Sequence, residues 1–200
     1  SNLIGTFNIL EVARTANIKH LLIASTSSVY GANEDMPFKE TEKADTQLSF
    51  YAATKKANES MAHSYSHLFN LPITMFRFFT VYGPWGRPDL ALYKFAEKIL
   101  IDEEIEVYNN GKMERDFTYI SDLVKAITLL LRKAPSNNDK YQNDSLSPVA
   151  PYRIVNIGNS NQVNLMDFIE EIEFCLNKKA KKKFMPLQQG DVPKTYADTS

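Results

Sequence analysis

The chain has 200 residues, of which 44% are apolar and 24% charged, and its formal net charge is −1 at pH 7. These values fit one large or two small folded domains and exclude a disordered chain. The charge is too low for a nucleic-acid partner, and no apolar run is long enough for a membrane span, so we expect neither partner. A single cysteine excludes an intrachain disulfide and fits a reducing, cytoplasmic location.

The first part of the chain alternates between predicted helices and predicted strands. Apolar residues at three- and four-residue spacing predict a helix that ends before Asn17, and a buried strand follows at 19–25. After a loop over 26–48, a long helix is predicted from Phe50 to Phe69 and a strand from Ile73 to Phe78. This alternation implies parallel crossover units, which are typical of an α/β fold.

The composition changes after Tyr82, where a Gly/Pro-rich loop marks the predicted domain boundary. Three further helices are predicted: one at 90–101, one at 121–132 that Ser121 caps, and one that Asn164 caps and that ends at Leu176. Strands are predicted at 105–108, 152–157 and 182–185. Residues 134–151 read as an exposed loop, and residues 178–183 as a solvated turn that enters the last strand. Cys175 lies on an apolar helix face and is expected to be buried.

Tyr51 and Lys55 are four residues apart on the predicted long helix, so their side chains share one face. This spacing alone is weak evidence, since a solvated helix surface in a chain with 10 tyrosines also explains it. The hydroxyl cluster 25–28 leaves the end of a predicted parallel strand, where open α/β sheets bind ligands. Together they predict a site in which the Lys55 charge favours the Tyr51 phenolate as a base and Thr26 holds a substrate hydroxyl.

Three segments occur in a characteristic order: Ser25–Gly31, Tyr51-x-x-x-Lys55 and Arg77–Pro84. In this combination they resemble the extended short-chain dehydrogenase/reductase family of NAD-dependent epimerases and dehydratases, which modify nucleotide sugars. Segments 83–89, 111–120 and 189–192 are similar to those of UDP-glucuronate 4-epimerases. The resemblance extends from Asn2 to Asp198.

The resemblance implies an α/β fold with a Rossmann-like parallel sheet at 1–82 and a smaller UDP-sugar lobe at 83–200, with strand 152–157 returning to the sheet. No pair or triple of the seven glycines forms the glycine-rich turn that admits a pyrophosphate. The family's N-terminal strands and that turn are therefore expected to be missing. The chain then reads as an internal fragment of a longer enzyme, inactive by itself.

The same resemblance implies a site that binds NAD and a UDP-sugar and holds no metal. It also implies that the protein is a homodimer. The implied catalytic residues are Thr26, Tyr51 and Lys55. The implied NAD-binding residues are Asn2, Tyr51, Lys55 and Phe78. The implied substrate-binding residues are Thr26, Ser27, Ser28, Phe79, Thr80, Arg87, Arg115, Gln188 and Asp191.

The implied reaction is interconversion of UDP-glucuronate and UDP-galacturonate through a 4-keto intermediate. Ser27 and Ser28 stand where related dehydratases and decarboxylases carry acidic residues, so the sugar is expected to keep its carbon 6. A 4-epimerase of a neutral UDP-hexose or N-acetylhexosamine is one alternative. A non-catalytic relative that only binds sugar nucleotides is another.

For Arg115, Arg87 and Trp85, interpretations without a role in ligand binding also stay open. Arg115 is followed by Asp116, with which it can form a structural ion pair. Arg87 can be an exposed loop arginine, and Trp85 can pack within its own loop instead of enclosing a ligand.

Overall fold

The structure, a computed structural model, describes residues 1–136 and 144–200. Its helices are α1 Asn2–Thr15, α2 Phe50–Phe69, α3 Ala91–Leu100, α4 Ile120–Leu130 and α5 Leu165–Leu176. Its strands are β1 Leu21–Ala24, β2 Ile73–Phe78, β3 Thr80–Tyr82, β4 Glu104–Val107, β5 Glu114–Tyr119, β6 Tyr152–Ile157, β7 Gln162–Asn164 and β8 Lys181–Phe184. None of these helices is both long and apolar enough to cross a membrane.

The central sheet consists of three parallel strands in the order β1-β2-β6. Successive side chains of a strand point to opposite faces, and β2 is covered on both. Ile73 and Met75 pack with residues of α1 and α2, whereas Phe76 packs with Leu123 of α4. This double cover explains why β2 reads as an almost continuous apolar run.

The second half of the chain forms two smaller sheets. A mixed sheet has the order β3-β5-β7, with β3 parallel and β7 antiparallel to β5. Strands β4 and β8 pair in parallel. Together with α3 and α5 they form a unit that we call the outer lobe, whose core contains Ile99, Ile105, Val107, Ile169 and Ile172.

Residues 193–199, which we call the strap, connect distant parts of the chain. Backbone hydrogen bonds join Phe38 to Tyr196 and Asp198, so the strap runs beside the loop that precedes α2. The Asp116 carboxylate on β5 accepts a hydrogen bond from the Ala197 amide. The Asn156 amide on β6 donates to the backbone carbonyl of Asp198. The strap is thereby bound to both the central sheet and the mixed sheet.

Several predicted elements are confirmed with their bounds. Helix α2 spans the predicted residues because the Ser49 hydroxyl accepts the Ala52 amide at its start and Asn70 adopts a left-handed conformation at its end. The Asn164 cap of α5 is also confirmed, since its side chain accepts from the Met166 amide. Strands β1, β2 and β6 lie where they were predicted.

Other predictions are wrong or incomplete. Helix α4 starts at Ile120 after an N-cap residue with no side-chain cap, so Ser121 does not cap it. Cys175 is exposed instead of buried. The three strands of the mixed sheet were not predicted. The predicted loop at 134–151 lies partly outside the described residues, and the domain boundary at residue 83 stays a prediction.

Candidate active site

A cleft of about 400 Å³ opens at the carboxyl ends of β1 and β2. Its walls come from the turn after β1, the start of α2, the segment that follows β2, and residues 190–192. Most of the predicted site residues line it: Thr26, Ser27, Ser28, Tyr51, Phe78, Phe79, Thr80, Arg87, Arg115 and Asp191. The cleft therefore brings together residues that are up to 165 positions apart in the sequence, from Thr26 to Asp191.

The turn after β1 fixes the Thr26 hydroxyl. Its oxygen accepts the Ser28 amide at 3.2 Å and so caps the short helical turn over 27–30. The next residue, Gly31, has φ 58° and ψ −117°, a conformation that favours glycine. A Cβ at this position would lie 2.0 Å from the Thr46 carbonyl oxygen. The Gly31 backbone thus allows a sharp turn and a close approach to Thr46 that another residue would prevent, while Thr26 stays in the cleft wall.

Tyr51 lies in the first turn of α2, directly after the Ser49 cap. It is 50% exposed, and no hydrogen bond joins its hydroxyl to any part of the chain that the structure describes. The position of Tyr51 therefore leaves its hydroxyl free to meet a ligand.

Lys55 lies one helical turn further along α2, next to the end of β1. Its Nζ donates to the Ala24 carbonyl oxygen at 2.5 Å. Burial lowers the pKa of Lys55, and the nearby Glu59 carboxylate acts in the opposite direction. The predicted residue Asn2 donates to the Thr54 hydroxyl on the same helix at 3.1 Å. Neither Lys55 nor Asn2 is part of the cleft wall.

Arg115 on β5 is held by the loop over 190–193. Its Nη2 donates to the Asp191 carboxylate at 2.8 Å, and its Nη1 donates to the Pro193 carbonyl at 3.1 Å. Burial lowers the pKa of Arg115, and the Asp191 carboxylate opposes this effect. Asp116 instead accepts backbone amides, among them that of Asn159. The interpretation of Arg115 and Asp116 as an ion pair is therefore wrong.

The Gly/Pro-rich loop after β3 lies at the rim of the cleft. Arg87 pairs there with the Asp89 carboxylate, and both side chains are exposed. Trp85 is fully exposed, so it does not pack within its own loop. The loop therefore presents one arginine and one tryptophan that the described residues leave accessible to a ligand.

A second cavity of about 810 Å³ adjoins the cleft. The two share part of their walls: Thr80, Val81, Arg87, Leu90, Arg115 and Asp191. Its own walls are mostly apolar and aromatic, with Tyr93, Phe95, Phe117 and Phe168 among them, and Gln188 at one side. Sequence reasoning missed the part of this cavity that α3 and α5 line, because helical periodicity there only indicates a core.

Sequence reasoning also missed a buried ion pair beneath the cleft. Arg77 on β2 and Glu59 on α2 are 1% and 2% exposed, and the guanidinium binds the carboxylate through two hydrogen bonds of 2.8 Å. The available signal was an arginine inside the apolar strand Ile73–Phe78. Such a residue is rarely buried without a charged partner.

The profile of a family described as "NAD dependent epimerase/dehydratase family" matches residues 1–158. The chain belongs to this family. The resemblance stated from the motifs is thereby confirmed.

Individual relatives narrow the comparison within the epimerase/dehydratase family. The chain is 56% identical to "Protein CapI" of Staphylococcus aureus over 99% of this chain and 60% of that protein. It is 51% identical to a "Probable UDP-glucuronate 4-epimerase" of Rhizobium meliloti, over 98% of this chain and 59% of that protein. The chain thus spans about 60% of the length of these curated relatives.

Among solved structures, the chain resembles the UDP-glucuronic acid 4-epimerase from Bacillus cereus in complex with UDP-glucuronic acid and NAD. The TM-score is 0.83 at 30% identity, and the match covers 99% of this chain and 58% of that one. The predicted α/β class with a Rossmann-like parallel sheet is confirmed by this match and by the parallel central sheet.

Proposed function

We propose that the protein carrying this chain is an NAD-dependent 4-epimerase that interconverts UDP-glucuronate and UDP-galacturonate. The observation that carries the proposal is the convergence of Thr26 and Tyr51 in one cleft, with the Lys55 ammonium fixed against the adjoining strand end. A protein that only binds sugar nucleotides has no need of a tyrosine poised as a base. The kinship with a UDP-glucuronic acid 4-epimerase supports the choice of substrate.

The residues present fit the nicotinamide half of NAD. An ammonium carries three N–H donors, and the Ala24 carbonyl takes only one from Lys55, so donors remain for the hydroxyls of a ribose. The free Tyr51 hydroxyl and the Phe78 ring in the cleft wall suit the same end of the cofactor, with Asn2 beside α2. The glycine-rich turn that holds a pyrophosphate does not occur in these 200 residues. NAD bound here would supply the reversible hydride transfer that epimerisation at carbon 4 requires.

The proton chemistry belongs to this chain. Tyr51 as phenolate removes the proton of the sugar 4-hydroxyl, and the same oxygen returns it after the 4-keto sugar has turned its other face. The Lys55 charge stabilises the phenolate, because an opposite charge close by favours the charged form. Thr26 hydrogen-bonds the 4-hydroxyl and keeps it in line for transfer.

Uncharged donors around the sugar favour a uronate that keeps its carboxylate. Ser27, Ser28 and Thr80 line the cleft and can hydrogen-bond a carboxylate at carbon 6, with Phe79 beside them. No acidic side chain stands at positions 27 and 28 to catalyse elimination. Arg87 is placed to exchange its Asp89 partner for an anionic group of the ligand.

The second cavity suits the nucleotide. Its apolar and aromatic walls fit the uridine, since base rings stack on aromatic side chains. Arg115, where the cavity meets the cleft, is placed for the diphosphate, and Gln188 and Asp191 lie in the adjoining wall.

A homodimer and a cytoplasmic location are also part of the proposal. Helices α1 and α2 expose a set of apolar side chains that a second copy can cover: Leu3, Ile4, Phe7, Val12, Leu68 and Phe69. The cytoplasm is supported by the cysteine usage described above.

The test uses the product of the complete gene, with UDP-glucuronate and UDP-glucose as substrates. The efficiency for UDP-glucuronate should exceed that for UDP-glucose by about 10²-fold, since a polar site loses its partner in the neutral sugar. Tyr51→Phe should lower turnover by about 10²- to 10⁴-fold, whereas Tyr65→Phe on the same helix should not. Equal efficiencies would favour the neutral-hexose alternative, and no turnover of either substrate by the wild type would favour the non-catalytic one.

A further inference from the structure

A buried polar network joins the catalytic face of α2 to the central sheet. Tyr51, Lys55 and Glu59 follow each other at four-residue intervals, so they lie along one side of the helix. The Glu59 carboxylate accepts a hydrogen bond of 2.6 Å from the Ser25 hydroxyl, next to Thr26. Lys55 binds the carbonyl of the preceding residue, Ala24. Successive residues of the strand end are therefore bound by successive turns of the helix.

The other half of the network comes from β2 and β6. Arg77 donates to both Glu59 carboxylate oxygens at 2.8 Å, and its guanidinium carbon lies 4.7 Å from the Tyr30 ring centroid. Tyr152 on β6 donates to the Glu59 backbone carbonyl at 3.2 Å. The Tyr30 hydroxyl donates to Asn156 at 2.8 Å. Glu59 is thus hydrogen-bonded by a residue of β2, by a residue of β6 and by Ser25, which directly follows β1.

The network is an unusual choice if stability is its only role. Replacing a buried ion pair by apolar side chains of similar volume is often neutral or stabilising, because both charges lose their hydration. Directional hydrogen bonds, in contrast, define position, and Arg77 grips Glu59 at two points. Burial is the largest single influence and would raise the pKa of Glu59, but the hydrogen bonds and charge of Arg77, the Ser25 hydrogen bond and the Lys56 charge together hold this pKa below its usual value.

We propose that Glu59 is a positioning residue, which through Ser25 and Arg77 fixes α2 against β1 so that Tyr51 and Lys55 stand opposite Thr26. This inference rests on the proposed function, because it assigns Glu59 a part in the same acid–base chemistry. Glu59 itself does not line the cleft, so it acts on the reaction only by holding Tyr51, Lys55 and Thr26 in place.

The test compares Ser25→Ala and Glu59→Gln with wild type in the product of the complete gene. Ser25→Ala removes the link between β1 and α2 without changing any charge. Glu59→Gln keeps the length of the side chain but removes its charge. The matched control is Glu173→Gln on α5, which changes a buried carboxylate that binds Lys179 and Lys182 in the outer lobe. All three variants are assayed after folding is verified by circular dichroism and thermal melting.

Glu59→Gln should lower kcat about 10- to 100-fold while KM changes little, because misplaced catalytic groups slow the chemical step. Ser25→Ala should lower kcat in the same direction by less, and the double variant should resemble Glu59→Gln, since both act through one link. Glu173→Gln should lose stability and retain its kcat. A wild-type kcat in both folded Ser25→Ala and Glu59→Gln would overturn the inference, and Ser25→Ala alone decides it where Glu59→Gln does not fold.

The pH profile separates the effect of the Glu59 charge from the effect of its hydrogen bonds. Glu59 faces Lys55 and Lys56 on its own helix, Arg77 on β2, Tyr152 on β6, and Tyr30 through Arg77. Without the Glu59 charge, Lys55 loses its proton at a lower pH. The alkaline limb of the kcat profile should therefore move to lower pH in Glu59→Gln and stay in place in Ser25→Ala, so a loss of kcat in Ser25→Ala with an unmoved limb comes from the lost hydrogen bond and not from a lost charge.

Tyr51→Phe separates the two proposals. If Tyr51→Phe retains turnover, the proposed function fails whatever the Glu59 variants do. If Tyr51→Phe is inactive while Glu59→Gln and Ser25→Ala behave as wild type, only the positioning role fails.

Discussion

The central sheet and the outer lobe have different interiors. Beneath the cleft, Glu59, Arg77 and Asn156 are buried; Arg77 donates to the Glu59 carboxylate, and Asn156 accepts a hydrogen bond from the Tyr30 hydroxyl. The outer lobe packs aliphatic side chains such as Ile105 and Ile169 between α3, α5 and β4. Polar contacts have direction and apolar contacts do not, so the first interior fixes orientation and the second mainly provides stability. The predicted acid–base residues lie beside the polar interior of the central sheet.

The largest expected effect follows from breaking the polar interior. Arg77→Met leaves the Glu59 carboxylate buried without its partner, so the free energy of unfolding should fall by about 3 to 5 kcal/mol. Chemical denaturation measures it. Lys43→Met, which breaks an exposed pair with Asp45, is the control and should leave the free energy of unfolding near the wild-type value. An equally small loss for Arg77→Met would remove the distinction between the two interiors.

A substitution that creates a cavity in the outer lobe should lower the free energy of unfolding by a similar or smaller amount, but it should leave the acid–base residues in place. Ile105→Ala removes a fully buried side chain and should lower the free energy of unfolding by about 2 to 5 kcal/mol. The pH profile of turnover should stay unchanged, in contrast to Glu59→Gln. Leu129→Ala, at an exposed position of α4, is the control. A displaced pH profile in Ile105→Ala would show that the outer lobe also orients the acid–base residues.

A substitution where the cleft meets the second cavity should change the affinity for UDP. Arg115→Met removes the charge placed for the diphosphate, and UDP affinity should fall about 10- to 100-fold, the usual range for a hydrogen bond to a charged group. Isothermal titration with UDP on the product of the complete gene measures this, with the exposed Lys112→Met as control. Unchanged UDP affinity in Arg115→Met would assign the diphosphate to other residues.

The smallest expected effect concerns His20 at the start of the central sheet. Its Nε2 is 2.9 Å from the Thr74 hydroxyl, and partial burial lowers the pKa of His20 below its usual value. The unfolded chain then takes up a proton at a higher pH than the folded chain does, so stability is complete above about pH 6.5 and falls as the pH drops below it. His20→Gln should flatten this decline in denaturation curves between pH 7 and 5.5. An identical decline in both proteins would show that other groups cause it.

Local signals were sufficient for part of the fold. Helix α2 was predictable because Ser49 caps it and Pro72 follows its end. The strands of the mixed sheet are short and polar, and β5 pairs with β7 some 50 residues away, so no window of sequence contains their pattern. Cys175 was misjudged because the apolar stripe of α5 continues past the core, where Phe174 is also exposed.

The site was predictable only where a motif names its members. Tyr51, Lys55 and Thr26 came from spacing and resemblance, and their assigned roles stay predictions. Glu59 looks like any charged helix residue in the sequence, because its burial depends on Arg77, which lies on another element. The arginine inside the apolar strand β2 indicates that a charged partner exists, but it does not indicate which residue 18 positions away is that partner.

The strap couples the unfolding of the central sheet to that of the mixed sheet. Its residues bind β5 through Asp116 and β6 through Asn156, so neither sheet can open far without releasing the Ala197 and Asp198 backbone. Local opening of either region should therefore propagate into the other, and the two should unfold cooperatively even though their interiors differ. Hydrogen exchange at the Ala197 amide would then report the less stable of the two regions.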